Sequence, residues 1–183
     1  YSYSLSTQKK KELFSIPFIE AIVQWSDEGS SGSQYIFPKP SYAFEGFLYE
    51  VKANKISRLP VDGFGFSAAA NNEMVLYSYL NEGKSFSSIL NRKTGEVKNL
   101  DAAILPEKCF IPKLGLIFVC AYEAVKTPYE FPDAWYRGEV SFKDSLYAIS
   151  GTEITAELLV DTYTESKREL DITDLQTGEE GSE

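Results

Sequence analysis

The sequence predicts an all-β protein built from repeated four-stranded antiparallel units. Twelve Tyr, twelve Phe and two Trp occur among 183 residues, and such rings favour pleated, half-buried strands over helices. One hairpin pattern occurs four times along the chain. No helix-length amphipathic pattern competes with it, because the best candidate, Lys9 to Glu20, is broken by Pro17.

The repeated hairpin consists of a hydrophobic strand, a polar or Gly-containing corner, a charged strand and a closing Leu or Phe. In its clearest copy Tyr49 and Val51 alternate with polar neighbours, and the sequence Ala53-Asn54-Lys55 breaks the alternation. The four copies are Tyr3–Phe14, Leu48–Val61, Ser88–Leu100 and Leu146–Leu159.

A second pattern precedes three of these hairpins: an aromatic residue, a turn and an apolar strand. It occurs in Ile22–Pro38, Gly65–Tyr79 and Lys108–Tyr122. Together the two patterns make a four-stranded unit of roughly 40–50 residues, the period of propeller blades. We therefore expect a β-propeller-like array within a single domain over residues 1–176. Its parts are unit 1 (15–60), unit 2 (61–101) and unit 3 (102–161).

Half a unit precedes unit 1, and the start of another unit, Glu169–Gln176, follows unit 3. Three units cannot close a ring, since propellers typically use four to eight blades. We therefore expect the propeller to be incomplete in this chain. The Gly- and Glu-rich residues 177–183 predict an acidic flexible tail.

Two stretches carry a family resemblance. The segment "QWSDEG" (Gln24–Gly29) resembles the Trp-Ser-Pro-Asp-Gly turn of WD-repeat-like propellers in TolB-type translocation proteins, with Glu28 where proline or aspartate is usual. The segment "LYEVKANKISRL" resembles the outer hairpin of that family. Units 2 and 3 depart from the turn motif, with "FSAAANN" and "FIPKLG".

The stretch from Cys120 to Ile149 also resembles a variant blade of propeller-containing surface proteins from uncultivated bacteria. That resemblance implies an exported, extracytoplasmic protein.

Composition argues against several classes of function. A formal net charge of −9 disfavours binding to nucleic acid or an anionic membrane, because both need clustered Lys and Arg. The longest apolar run, Leu114–Tyr122, is far shorter than the roughly 18 residues of a membrane span. The chain has no His, which excludes the Ser-His-Asp triad, the Cys-His pair and His-containing zinc sites.

The sequence "GFGFSA", Gly63 to Ala68, matches a dinucleotide-binding pattern. That chemistry requires a strand before the glycines and a helix after them. The repeat instead predicts a turn at Ala70-Asn71-Asn72 followed by a strand. We therefore expect the glycines to let the chain bend between units, and we expect no cofactor.

Cys109 and Cys120 lie opposite each other if a hairpin turns at Lys113 to Leu116. Opposed Cβ atoms are about 4.5–5.5 Å apart, within reach of a disulfide. Two small buried thiols that pack as hydrophobic groups are the alternative. Export to an oxidising compartment would favour the disulfide.

The segment "YEFPDAWYRG", Tyr129 to Gly138, is the one insertion in the repeat and falls between the second and third strands of unit 3. Its rings supply flat apolar surface, and its charged groups supply direction, as in binding anchors. Alternatively the loop folds back and packs its rings on the scaffold. The candidate binding residues are Tyr129, Phe131, Asp133, Trp135, Tyr136 and Arg137.

The carboxylates are scattered through predicted turns, and no pair has a spacing that indicates acid/base catalysis. We therefore expect a non-catalytic binding or scaffold module of an exported or cell-surface protein, which binds a protein or small ligand at the face of the insertion. A second copy could close the propeller ring. The alternative is the propeller part of an enzyme, either a glycosidase or the accessory domain of a serine peptidase.

Overall fold

The computed structural model describes residues 2–4, 6–12, 15–25, 32–112, 115–123 and 131–176. This part of the chain is mostly antiparallel β-structure, as the sequence predicts. Its strands are β1 (Ser2–Ser4), β2 (Lys9–Lys11), β3 (Ala21–Trp25), β4 (Gln34–Pro38), β5 (Glu45–Lys52), β6 (Lys55–Ala70), β7 (Met74–Asn81), β8 (Lys84–Asn91), β9 (Val97–Leu100), β10 (Cys109–Phe110), β11 (Ile117–Tyr122), β12 (Ser145–Ser150) and β13 (Ala156–Val160).

The strands form a two-stranded sheet β1-β2, a seven-stranded sheet β3 to β9 and a four-stranded sheet β10 to β13, each in chain order. The four predicted hairpins are the antiparallel pairs β1–β2, β5–β6, β8–β9 and β12–β13. At the corner between β5 and β6, Ala53 and Asn54 have φ angles of 49° and 61°. Positive φ at both central residues is what a two-residue hairpin turn of matching twist requires.

Units 1 and 2, which were predicted as two four-stranded units, share one seven-stranded sheet, so the prediction that each unit has its own four strands is wrong here. The boundary at residues 60/61 falls inside β6, a strand of 16 residues. Its first half pairs with β5 and its second half with β7, with a register shift in each pairing. Gly65 has a φ of +59°, which a residue with a Cβ adopts only at a cost. The chain therefore changes direction within β6 without a loop.

The seven-stranded sheet folds over on itself at β6. In a flat sheet β3 and β6 would lie about 14 Å apart, since neighbouring strands are separated by about 4.8 Å. Yet Nε2 of Gln24 in β3 donates a hydrogen bond of 2.8 Å to the carbonyl oxygen of Ala68 in β6. The rings of Phe37 and Phe66 also meet edge to face at 6.2 Å. Unit 1 therefore lies face to face on unit 2.

Two apolar cores lie between the three units. The first lies between units 1 and 2, and the second lies between units 2 and 3. The alternation of side chains along a strand sends Val75 and Tyr77 of β7 into the first core and Met74 and Leu76 into the second. Unit 2 is thus covered on both faces, which explains why β7 begins with the apolar run Met74–Tyr77. The first core contains Tyr35, Phe37, Leu48, Val61, Phe66, Ala68, Ala70, Val75, Tyr77 and Leu90. The second contains Met74, Leu76, Ile89, Ile104, Phe118, Cys120, Tyr122 and Ile149.

A polar network, here called the Arg92 network, joins the units at one end of the strands. Arg92 of unit 2 donates hydrogen bonds to Glu50 Oε2 (2.7 Å) and to the Tyr35 hydroxyl (2.5 Å), both in unit 1. It also donates to the carbonyl oxygen of Asn71 (3.0 Å). The Asn71 side chain reaches unit 3 by donating to the carbonyl oxygens of Pro112 and Gly115.

Two short helices, α1 (Asp133–Tyr136) and α2 (Thr162–Ser166), interrupt the β-structure. α1 lies in the insertion. α2 follows β13 and is capped by Asp161, whose carboxylate accepts a hydrogen bond from the Thr164 N–H. Neither is long and apolar enough to cross a membrane, and the described residues contain no other α-helix.

Candidate binding surface

The insertion connects β11 to β12 and lies at the strand ends opposite the Arg92 network. This agrees with its predicted position between the second and third strands of unit 3. Tyr129, the first candidate residue, lies outside the described residues. The other five fall within them and occupy α1 and its flanks.

α1 is attached to unit 1 by the side chain of Asp133. Its Oδ2 accepts a hydrogen bond of 2.6 Å from the backbone N–H of Tyr42, in the loop before β5. The preceding residue, Pro132, lies against β6, where a Cβ on Gly65 would come within 3.2 Å of the proline ring. The absence of a side chain at Gly65 therefore makes room for the insertion.

Tyr136 attaches α1 to the other two units through Glu107, which lies in the 3-10 turn Pro106–Lys108. The Tyr136 hydroxyl donates to Glu107 Oε1, and so does the Ser67 hydroxyl of β6, at 3.0 Å. Burial raises the pKa of the Glu107 carboxyl, although both hydroxyl donors act in the opposite direction. The pKa of Tyr136 is raised as well, first by burial and then by the nearby Glu107 charge. Tyr136 is therefore a hydrogen-bond donor at neutral pH.

Trp135 and Tyr136 are half-buried, whereas Phe131 is buried with 5% of its surface exposed. The Trp135 Nε1–H donates to Asp171 Oδ2 at 3.0 Å, and its ring centroid lies 5.2 Å from that of Tyr136. Phe131 packs edge to face on Phe142 at 5.9 Å. The packing alternative therefore holds for Phe131, while the two following rings keep accessible surface.

Arg137 is exposed and pairs with the neighbouring carboxylate of Glu139 through Nε (2.8 Å) and Nη2 (2.9 Å). This contact lowers the pKa of Glu139. Arg137 thus lies at the rim of the candidate surface, and its guanidinium group faces the exposed side chain of Glu139.

Three exposed rings that the sequence analysis missed lie next to the insertion. Tyr42, Phe44 and Phe64 are 40%, 73% and 49% exposed. The Gly65 N–H donates to the carbonyl oxygens of Ser41 and Phe44, which holds this loop against β6 beside α1. The two rings of "YAF" before β5 were a usable signal, because contiguous exposed apolar patches often mark interaction sites. We call Tyr42, Phe44, Phe64, Trp135 and Tyr136 the aromatic patch.

The two cysteines form a disulfide with an S–S distance of 2.09 Å. They are directly paired between β10 and β11, as the hairpin register requires. Of the two alternatives left open by the sequence, the disulfide is the one found.

The sequence "GFGFSA" lies within β6, which turns directly into β7. The helix N-terminus that a pyrophosphate would need is therefore replaced by a strand. Among the described residues no cluster of three or more His, Cys, Asp or Glu side chains is placed to hold a metal ion.

Comparisons with protein-family models, with curated proteins and with solved structures find no match to this chain.

Proposed function

We propose that the chain is a non-catalytic binding module that contacts a protein partner through the aromatic patch. The observation that carries this proposal is the attachment of α1. Asp133 joins it to unit 1, Tyr136 joins it to Glu107 and Ser67, and Trp135 joins it to Asp171. The insertion is thus held in place from several sides, while Trp135 and Tyr136 are only half-buried and keep some accessible surface.

A surface of this kind suits a protein partner for two physical reasons. Aromatic rings that carry a polar group offer a large contact area and lose little side-chain entropy, so they recur as hot spots. A loop that is already fixed pays less on association than one that must become ordered. The exposed Phe44 and Phe64 extend the surface beyond α1.

We further propose that the units are blades of an incomplete propeller in an exported protein. The face-to-face stacking of units 1 to 3 supports the blade arrangement, and the disulfide supports an oxidising compartment. The net charge of −9 disfavours nucleic acid as a partner.

A second copy of the chain would supply further units to complete the ring. The outer strands β3 and β13 are sheet edges with exposed apolar side chains, among them Trp25 and Leu158. Sedimentation velocity over a roughly hundredfold concentration range should then show a defined oligomer that forms by mass action. A monomer throughout that range would contradict ring completion by a second copy.

The binding proposal is tested with a random peptide library displayed on phage and selected on the immobilised chain. Enriched peptides are synthesised and titrated against the native protein and three variants. Phe44→Ala and Trp135→Ala remove rings of the aromatic patch, and Ile117→Ala is the control because Ile117 is 55% exposed on unit 3, outside the patch. Each patch variant should weaken binding by about 2 kcal/mol or more, as expected of hot spots.

Circular dichroism of each variant must match that of the native protein, so that lost binding is not lost folding. Peptides that bind the native protein and both patch variants equally would refute the proposed surface. A Trp135→Ala variant that fails to fold would leave Phe44→Ala as the deciding measurement, since Phe44 is 73% exposed and contributes little to the core.

A further inference from the structure

Lys108 is a buried lysine that the binding surface does not use. It ends the 3-10 turn before β10 and is only 2% exposed, which is rare for a lysine. Its Nζ lies 4.7 Å from the centre of the Phe142 ring and 5.8 Å from that of Trp135. The amine therefore lies close to two aromatic rings and has almost no solvent-exposed surface.

Two carboxylates meet this amine, and their surroundings differ. Asp144 pairs with Nζ through Oδ2, and the same oxygen accepts a hydrogen bond of 2.7 Å from the Ile172 N–H. Its side chain is completely buried, and its Oδ1 has no hydrogen-bond donor within the described part of the chain. A buried carboxyl oxygen without a donor is costly for an ionised group.

Asp171 approaches the amine from the other side, with Oδ1 at 2.6 Å from Nζ. Its second oxygen, Oδ2, accepts hydrogen bonds from the Trp135 Nε1–H at 3.0 Å and from the Phe142 N–H at 3.2 Å. These two donors fix the orientation of the carboxylate. Oδ1 is therefore held beside the amine, where it can accept and return a proton.

Amide formation from an amine and a carboxylic acid needs both groups in their neutral forms, in contact and away from water. Burial raises the pKa of Asp144, although the Lys108 charge and the Ile172 N–H act in the opposite direction. A proton passed from Nζ to Asp144 produces the neutral pair directly. The enclosure by rings also slows hydrolysis of the product.

We propose that Lys108 and Asp144 form an intramolecular isopeptide bond, with Asp171 as the group that carries the proton. The neutral Nζ attacks Cγ of the protonated Asp144 and gives a tetrahedral intermediate. Asp171 takes a proton from the new N–C centre and delivers it to the hydroxyl on Cγ. The C–O bond to that hydroxyl breaks, water leaves, and the carbonyl re-forms.

The balance of this reaction is one ammonium and one carboxylate converted into one amide and one water. Asp171 ends in the form in which it began, and no oxidant or other reactant is needed. A small cavity lined in part by Ala121, Phe131 and Phe142 borders both reacting groups. It has room for about one water molecule, which suits the departure of the product.

The bond would link the start of unit 3 to its third strand, next to the disulfide at Cys109. Lys108 and Asp144 are far apart in sequence, and both contact the segment that follows α2. The backbone N–H of Asp144 donates to the carbonyl oxygen of Leu170, while Asp171 and Ile172 hold the side chains. The reaction therefore depends on a fold in which residues 170–172 are in place.

The experiment is intact-protein mass spectrometry of the reduced, denatured chain. The native protein should weigh about 18 Da less than its sequence, the mass of one water. Digestion with trypsin should yield one branched peptide in which residues 99–113 are joined to residues 144–167, because cleavage after Lys108 is blocked. This branched peptide distinguishes the isopeptide from a cyclised aspartate, which loses the same mass within a single peptide.

Three variants test the roles. Lys108→Arg keeps the charge but should restore the full sequence mass. The Asp144→Asn variant should weigh about 17 Da less than its own sequence, because attack of Nζ on an amide expels ammonia instead of water. The Asp171→Asn variant should form the bond more slowly after refolding, so its full sequence mass should persist for longer. A rate of bond formation equal to that of the native protein would overturn the role of Asp171.

The measurement on the native protein decides the main proposal without any variant. A native chain at its full sequence mass, with Lys108 and Asp144 recovered in separate tryptic peptides, would show an ion pair only. That result would overturn the isopeptide bond while leaving the binding proposal untouched, since the aromatic patch does not depend on it.

Discussion

Replacing Arg92 by Met should destabilise the protein strongly, because Arg92 connects units 1 and 2 through a salt bridge that is largely shielded from water. Its side chain is 16% exposed and that of its partner Glu50 is 11% exposed. Met keeps most of the aliphatic length but removes all donors. Glu50 would then keep the hydrogen bond that its Oε1 accepts from the Ser33 hydroxyl at 2.8 Å, but it would lose its cationic partner.

The size of the effect follows from the charge that is left behind. Removing one partner of a buried ion pair costs about 3–5 kcal/mol, since the remaining charge has lost its compensation. Arg92 also donates to Tyr35 and to the carbonyl oxygen of Asn71, but these groups can accept from water once the site opens. We therefore expect the free energy of unfolding to fall by about 3 kcal/mol.

The assay is urea unfolding followed by circular dichroism, with a double-mutant cycle. Glu50→Gln in the Arg92→Met background removes the uncompensated charge and should recover about 1–2 kcal/mol. Arg58→Met is the control, since Arg58 and Asp62 form a pair that is about half-exposed and should cost less than about 1 kcal/mol. Equal losses for the Arg92 and Arg58 variants would refute the reasoning.

Three further predictions concern separate features of the chain. Reducing the disulfide, whose cysteines are 11 residues apart, should lower the free energy of unfolding by about 2.5–3 kcal/mol through the lost loop constraint. Equal urea midpoints with and without reductant would contradict this. Burial raises the pKa of Glu107 above its ordinary value of 4.5, so the folded chain binds that proton more tightly than the unfolded chain does. The contribution of Glu107 to stability is therefore greatest below pH 4.5 and is lost as the pH rises through the folded pKa. Glu107→Gln should flatten this part of the stability curve, and parallel curves for the two proteins would disprove it. Gly65→Ala should cost about 2–4 kcal/mol, because φ is +59° and a Cβ would lie 2.9 Å from Leu80 Cγ. Gly83→Ala is the matched control: φ is +74° with open space around it, so only the backbone cost of about 1–2 kcal/mol applies.

Local patterns predicted the strands and hairpins well because these depend on residues close in sequence. Alternation around Ala53-Asn54 predicted β5 and β6, and the spacing of Cys109 and Cys120 predicted their pairing in β10 and β11. The division into three sheets failed at β6. Whether a chain breaks or bends between two units depends on what its Gly63 and Gly65 pack against, here Tyr79 and Leu80, and no local pattern contains that information.

The place of the insertion between two strands could be predicted from the sequence, but its contacts could not. The insertion was visible as a departure from the repeat, and it lies where the repeat placed it. Its partners were not visible, because Tyr42, Glu107 and Asp171 are 91, 29 and 36 residues away from the side chains they contact. Each reads by itself as an ordinary loop residue. A fold that brings distant loops to one end of the strands is needed before such residues can be related.

The apolar and polar contacts of this chain perform different tasks. Apolar stacking repeats from unit to unit, so by itself it would tolerate a shift of one unit against the next. The polar links do not repeat: the Arg92 network occurs at one end only, and the insertion occurs in unit 3 only. A shifted unit would leave Glu50 buried without Arg92, at a cost of several kcal/mol. These single links therefore select one arrangement of the stack, and the arrangement they select is the one that places α1 beside Tyr42 and Phe44.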